Sequence, residues 1–257
     1  MLIPRMRGKA ELKKGKDRPL VMQLIRRHCV PLHAVALDPS STGKAKFTGG
    51  SALLWETICG RFFVTAAHVW RRLAELTQGT SAESRLITYD VNGPVLIHGP
   101  RLIDQSEELD IAVFDVLGIK DFNPAGKAFL QTPGWVTAPA KSGEMVVGGG
   151  YPGTSRKFKN GRWHLDILVW AHRQCTVSES GRLLLLDAHT GKGKATYFTE
   201  EKPDLALPGI SGAPLFALRD TLDWIGTVRS GCGTPLKGYS ILATPSGFVG
   251  ADGHIGE

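Results

Sequence analysis

Between residues 29 and 245 the chain is a succession of short apolar runs, each closed within a few residues by Gly, Pro, Asn or Asp. Runs of about four to eight residues with such punctuation read as strands, and their density predicts an all-β barrel or sandwich. At 257 residues the chain has room for one large β unit, or for two small barrels around a shared cleft. A first group of strands is expected at 32–37, 51–56, 61–65, 85–89, 94–97 and 111–116. A second is expected at 144–147, 163–171, 182–187, 196–199, 213–218, 224–228 and 239–243, with a basic hairpin tip at 156–162. Residues 123–142, rich in Pro, Gly and Ala, look like the crossover between the groups. The expected organisation is an arm over 1–28, a first barrel over 29–122, the crossover, and a second barrel over 143–257. Two places break the β texture. Val69, Leu73 and Leu76 alternate with Arg71, Arg72 and Glu75 at helical spacing, and residues 20–25 suit a short amphipathic helical turn against the body.

Three segments fall at the edges of these runs. Thr65-Ala66-Ala67-His68 ends one, Asp110-Ile111-Ala112-Val113 opens another, and Gly209-Ile210-Ser211-Gly212-Ala213-Pro214 leads into a third. A serine hydroxyl is a poor nucleophile at neutral pH. It needs an imidazole to take its proton, and the imidazole needs a carboxylate to fix its tautomer and stabilise its charge. Glycines on both sides of Ser211 let the backbone turn tightly, so that the N–H groups of Gly209 and Ser211 can form an oxyanion hole. Each segment alone is ordinary: a glycine turn, the polar start of a strand, a structural histidine. Together, separated by 42 and 101 residues, they point to nucleophilic catalysis by His68, Asp110 and Ser211. Asp104, Glu107, Glu108 and Asp115 are rival acids. Asp115 lies five residues beyond Asp110 and so faces the opposite side of an extended strand, and the other three lack the apolar follow-on.

In these segments the chain resembles the trypsin/chymotrypsin-like serine peptidases, in their bacterial HtrA-like branch but without a PDZ domain. Val147-Gly148-Gly149-Gly150-Tyr151-Pro152-Gly153 is similar to a strand and turn common in that branch, and the likeness runs over about residues 30 to 245. The resemblance implies two six-stranded antiparallel barrels with the active site in the cleft between them. It also implies peptide-bond hydrolysis through an acyl-enzyme, a protein or peptide substrate, and neither cofactor nor metal.

Where the family's secreted zymogens usually carry aspartate before the serine, this chain has Ile210, and no Ile-Val-Gly-Gly-like start follows a basic residue. Control is therefore expected from loop ordering or a regulatory protein partner rather than zymogen cleavage. Ala213, where the family usually has glycine, keeps open an alternative: a latent or inactive module that binds protein. An α/β-hydrolase esterase is disfavoured because its histidine comes last. The resemblance places the substrate pocket at Leu205, Arg229, Ser230 and Gly231. Leu205 suits an apolar or small side chain, whereas Asp204 would matter if the alignment shifted by one residue. Arg229 would favour an acidic residue if it turned inward, although solvent is the usual place for so long a cation.

Charge is unevenly placed. Residues 1–30 hold nine Lys/Arg against Glu11 and Asp17, and the remaining residues hold 22 of each sign. The arm reads either as a solvated tail or as a docking segment for an acidic partner. No aromatic residue lies in it, so direct nucleic-acid binding is not expected. No secretory leader or membrane span is read from the sequence. Cys29, Cys59, Cys175 and Cys232 form no CxxC pair, and Val69 stands where secreted relatives place a bridged cysteine after the histidine. Four reduced thiols and a cytoplasmic setting are expected. His28, Cys29 and His33 make too small a set for a metal site and read as structural.

Overall fold

The computed structural model describes residues 18–37, 45–78, 85–90, 93–97, 99–115, 126–131, 141–153, 156–159, 162–172, 176–177, 183–184, 195–197, 209–219, 222–232, 240–243, 248–249 and 255–256. It is mostly β, with few helices, consistent with a chymotrypsin-like fold.

Helix α1 (Arg18–His28) opens the described chain. Val21 and Ile25, one turn apart, are fully buried, while Leu20, Gln23 and Arg26 face solvent. Its last turn holds Arg26 and Arg27, cations suited to the negative end of the helix dipole, and ends at His28. The chain then runs straight into the first sheet. This comprises β1 (Cys29–Leu37), β2 (Ala45–Thr57), β3 (Gly60–Thr65), β4 (Arg85–Asp90), β5 (Gly93–Ile97), β6 (Arg101–Ser106), β7 (Ile111–Asp115) and β8 (Leu130–Gln131). Their order is β5-β4-β1-β2-β3-β7-β6, with β8 on β2. Helix α2 (Ala67–Gln78) follows β3.

After β9 (Met145–Gly150) come a separate hairpin, β10 (Arg156–Lys159) with β11 (Arg162–Leu165), and then β12 (Leu168–His172), β13 (Thr176–Val177), β14 (Leu183–Leu184) and β15 (Ala195–Tyr197). The chain closes with β16 (Pro214–Leu218), β17 (Leu222–Cys232), β18 (Ser240–Ala243), β19 (Phe248–Val249) and β20 (Ile255–Gly256). The second sheet has the order β13-β14-β18-β17-β16-β9-β12-β15, and β19 pairs with β20 apart from it.

These sheets correct two expectations. Among the described residues each has eight strands rather than six, and the β2–β8 pairing is parallel. Among the described residues the hydrogen-bonded order of each sheet runs from edge to edge without closing. The 163–171 run is also broken, at Asp166 and Ile167, into one strand of the hairpin and one of the second sheet. Strand β6 was not anticipated. It is an edge strand with mostly exposed or half-buried side chains, so it carries no apolar alternation to read.

Strands β2, β3 and β7 are apolar on both faces, and the alternation of side chains explains why. Leu53, Trp55, Val64, Ile111 and Val113 join Val21 and Ile25 of α1 in a core shared with Val147, Val169, Phe216 and Trp224 of the second sheet. Ala52, Leu54, Phe63 and Phe114 point the other way, into a core with Leu32 and with Val69 and Leu73 of α2. The first sheet is thus filled from both sides, and α1 helps join it to the second.

Candidate active site

The first two proposed residues meet at the start of α2. An N-terminal helical turn leaves backbone N–H groups without intrahelical partners. Here Ala67 N–H donates to the carbonyl of Asp110 at 3.1 Å, and His68 N–H donates to its carboxylate Oδ1 at 3.0 Å. Asp110 therefore caps a helix from a turn 42 residues away, where an anion also complements the helix dipole. The same carboxylate accepts from the ring: His68 Nδ1 lies 2.8 Å from Oδ2 and 3.1 Å from Oδ1. An ionised carboxylate only accepts, so the proton sits on Nδ1 and leaves Nε2 as an acceptor. Asp110 is buried, whereas His68 is partly open to solvent. Asp110 is also the only non-glycine residue among those described with positive φ, at 54°. Aspartate tolerates that region better than most residues, and such strain tends to collect at functional sites.

The rival acids are engaged elsewhere or open to solvent. Glu107 pairs with Arg71 at 2.8 Å, Asp115 pairs with Arg101 at 2.7 Å, Asp104 accepts from Gln105 N–H, and Glu108 is exposed.

Ser211 lies in a tight turn whose flanking glycines have φ of 97° at Gly209 and 84° at Gly212, a region that favours glycine. Ala213 N–H closes the turn on Ile210 O at 2.9 Å, and Gly212 N–H donates to Val228 O at 2.8 Å. The turn rests on the segment that carries the histidine. A Cβ at Gly212 would collide with Thr65 Oγ1 and Ser51 O and come within 3.0 Å of Ala66 N. A Cβ at Gly50 would be caught between Val69 and the Ser211 carbonyl. Ile210, between the two glycines, is fully buried in apolar packing.

Of the residues expected to line a substrate pocket, Leu205 lies outside the described residues, as does its neighbour Asp204. Ser230 and Gly231 pair with Leu242 and Ile241 across β17 and β18. Arg229 falls at a break in the register of that pairing, and bulges re-aim side chains. Its Nε lies 3.9 Å from Asp110 Oδ2, and its side chain is half-buried.

Sequence reasoning passed over Ser51 and Lys127. Ser51 was read only as the start of a strand, yet it bonds to the serine turn, and the doublet Gly49-Gly50 before it marks a close backbone approach. Lys127 Nζ donates to Arg26 O, Cys29 O and Tyr151 Oη at 2.6 to 2.8 Å, tying the end of α1 to the Gly-Tyr-Pro turn. Burial lowers its pKa to about 8. His28 Nδ1 donates to Ala128 O at 2.7 Å, and burial lowers its pKa to about 4. Among the described residues Cys29 and Cys59 are in no disulfide, and burial pushes the Cys29 thiol up to about 12. Cys175 and the side chain of Cys232 lie outside the described residues. Among the described residues no helix is long and apolar enough to cross a membrane.

Comparison with known proteins adds the fold. The chain is similar to the solved structure titled "Crystal structure of Deg5", with a TM-score of 0.51 and 16% sequence identity, covering 91% of each chain. At that identity the likeness speaks for the fold alone. No family model matches the sequence, and no curated protein matches it.

Proposed function

We propose that the protein is a serine endopeptidase of chymotrypsin type, with His68, Asp110 and Ser211 as its catalytic residues. The observation that carries this reading is the Asp110 carboxylate, which holds both the His68 ring and the start of the helix that presents it. The serine turn packed on the same segment supports it. We take the two sheets as counterparts of two barrels. His68 and Asp110 then come from the first, and Ser211, ahead of β16, from the second.

In the reaction Ser211 Oγ attacks the carbonyl carbon of the scissile peptide as its proton passes to His68 Nε2. Asp110 stabilises the imidazolium, and the N–H groups of Gly209 and Ser211 receive the oxyanion. His68 returns the proton to the leaving amine, which departs and leaves an acyl-enzyme. Water activated by the same imidazole then releases the acid and regenerates the serine. With Ile210 buried, control falls to loop order or a protein partner rather than to a new amine terminus.

A peptide-library cleavage profile of the wild type beside Ser211→Ala tests the reading. The wild type should cut, with apolar or small residues favoured before the scissile bond, and the variant should not. Cleavage dominated by basic residues would overturn the role given to Leu205, and equal activity of the two proteins would overturn the mechanism.

A further inference from the structure

We infer that Ser51 is a positioning residue of this site: it holds the turn that carries Ser211 in the form whose N–H groups receive the oxyanion. This rests on the peptidase reading above. Ser51 lies in β2, in the other sheet from β16, and is fully buried. All of its polar groups are engaged. Its N–H donates to Ser211 O at 2.8 Å, and its hydroxyl donates to Gly209 O at 3.0 Å. The hydroxyl also accepts from Tyr151 N–H at 2.9 Å, and its carbonyl accepts from Thr65 Oγ1 at 2.7 Å.

The two carbonyls it binds belong to Gly209 and Ser211, the residues whose N–H groups are the proposed oxyanion donors. Gly209 sits at φ 97°, and glycine has wide backbone freedom, so its own side chain does nothing to fix the peptide. The Ser51 hydroxyl holds the carbonyl of the Gly209–Ile210 peptide and so limits the rotation at Gly209 that would re-aim the neighbouring N–H groups. Space is arranged around it as well. A Cβ at Gly150 would lie 2.8 Å from Ser51 Oγ and 2.7 Å from Ala213 Cβ, so β9 can approach only as glycine there. Two segments of the second sheet, the end of β9 and the turn before β16, therefore converge on one hydroxyl of the first sheet, which serves a donor on one side and an acceptor on the other.

The test compares wild type, Ser51→Ala and Ser51→Cys. Alanine leaves Gly209 O and the buried Tyr151 N–H without that partner, and should lower kcat about 10- to 100-fold with KM within about twofold. Affinity for a peptide boronate, which mimics the tetrahedral state, should fall by the same factor, while affinity for the product peptide holds. Cysteine, of similar size and a weak donor, should recover part of the loss. Amide exchange at Gly212 and Ala213 should quicken in Ser51→Ala while that at Val64 stays protected. Unchanged kcat and boronate affinity would overturn the inference, and so would equal losses of boronate and product binding. If the wild type itself neither cut nor bound the boronate, the peptidase reading would fail. The exchange rates would then still decide whether Ser51 holds the turn, unchanged exchange counting against it.

Discussion

Asp110 combines a strained backbone, a cap on α2 and the partner of an imidazole, and these roles separate under substitution. Asn at this position still tolerates positive φ and still offers an oxygen to His68 N–H, so Asp110→Asn should lose about 1 kcal/mol of stability or less. As an amide it can present its NH₂ to the ring and favour the wrong tautomer, and kcat should fall by about 10³- to 10⁴-fold. Thermal melts beside single-turnover rates check the split; a loss of activity matched by wholesale unfolding would contradict it. At this scale the sequence was informative about the neighbouring acids, because Asp110 stands directly before an apolar run whereas Asp104, Glu107 and Glu108 do not. Arg229 was not legible in the same way. Nothing local announces the register break at this residue or its approach to Asp110.

Among elements, the runs over β2, β3 and β7 were legible because burial on both faces leaves continuous apolar sequence. The polar edge strand β6 and the two-residue strands were not, since tertiary pairing defines them more than composition does. Helix α1 is longer than the amphipathic turn read at 20–25, because only one of its faces is buried. Ile25 reaches the glycine run of β9, where a Cβ at Gly149 would meet it at 2.6 Å. Ile25→Ala should cost about 2–4 kcal/mol in a denaturant melt, and a loss under 1 kcal/mol would mean that α1 is not docked.

The end of the same helix sets a pH dependence. Burial lowers the pKa of His28 to about 4 against 6.5 in its unfolded state, outweighing the bond to Ala128 O, and Arg27 and Lys127 add to the lowering. The unfolded chain therefore takes up this proton first. His28 contributes its full stability above pH 6.5 and loses it as pH falls toward 4. Between pH 7.5 and 4.5 the wild type should lose about 2–3 kcal/mol more than His28→Gln. Parallel pH curves for the two proteins would refute that.

Across the whole molecule, charge and chemistry are segregated. The excess of cations lies in residues 1–30, whereas the proposed catalytic groups begin at His68. Removing residues 1–17 should leave turnover of a short uncharged peptide within about twofold and weaken salt-sensitive association with acidic proteins. A large fall in peptide turnover would assign the arm to the site instead. The two-sheet arrangement was legible as two groups of strands, but the pairing of the eight described strands in each was not, because contacts such as β8 on β2 join residues far apart in sequence. The central claim is that Ser211 is a nucleophile activated by His68. Incubating the wild type, Ser211→Ala and His68→Ala with a fluorophosphonate and mapping the adduct by mass spectrometry tests it most directly. The account predicts a single stoichiometric adduct on Ser211 in the wild type, none in Ser211→Ala, and labelling slowed by orders of magnitude in His68→Ala. An unlabelled wild type, or labelling at another residue that survives Ser211→Ala, would contradict it.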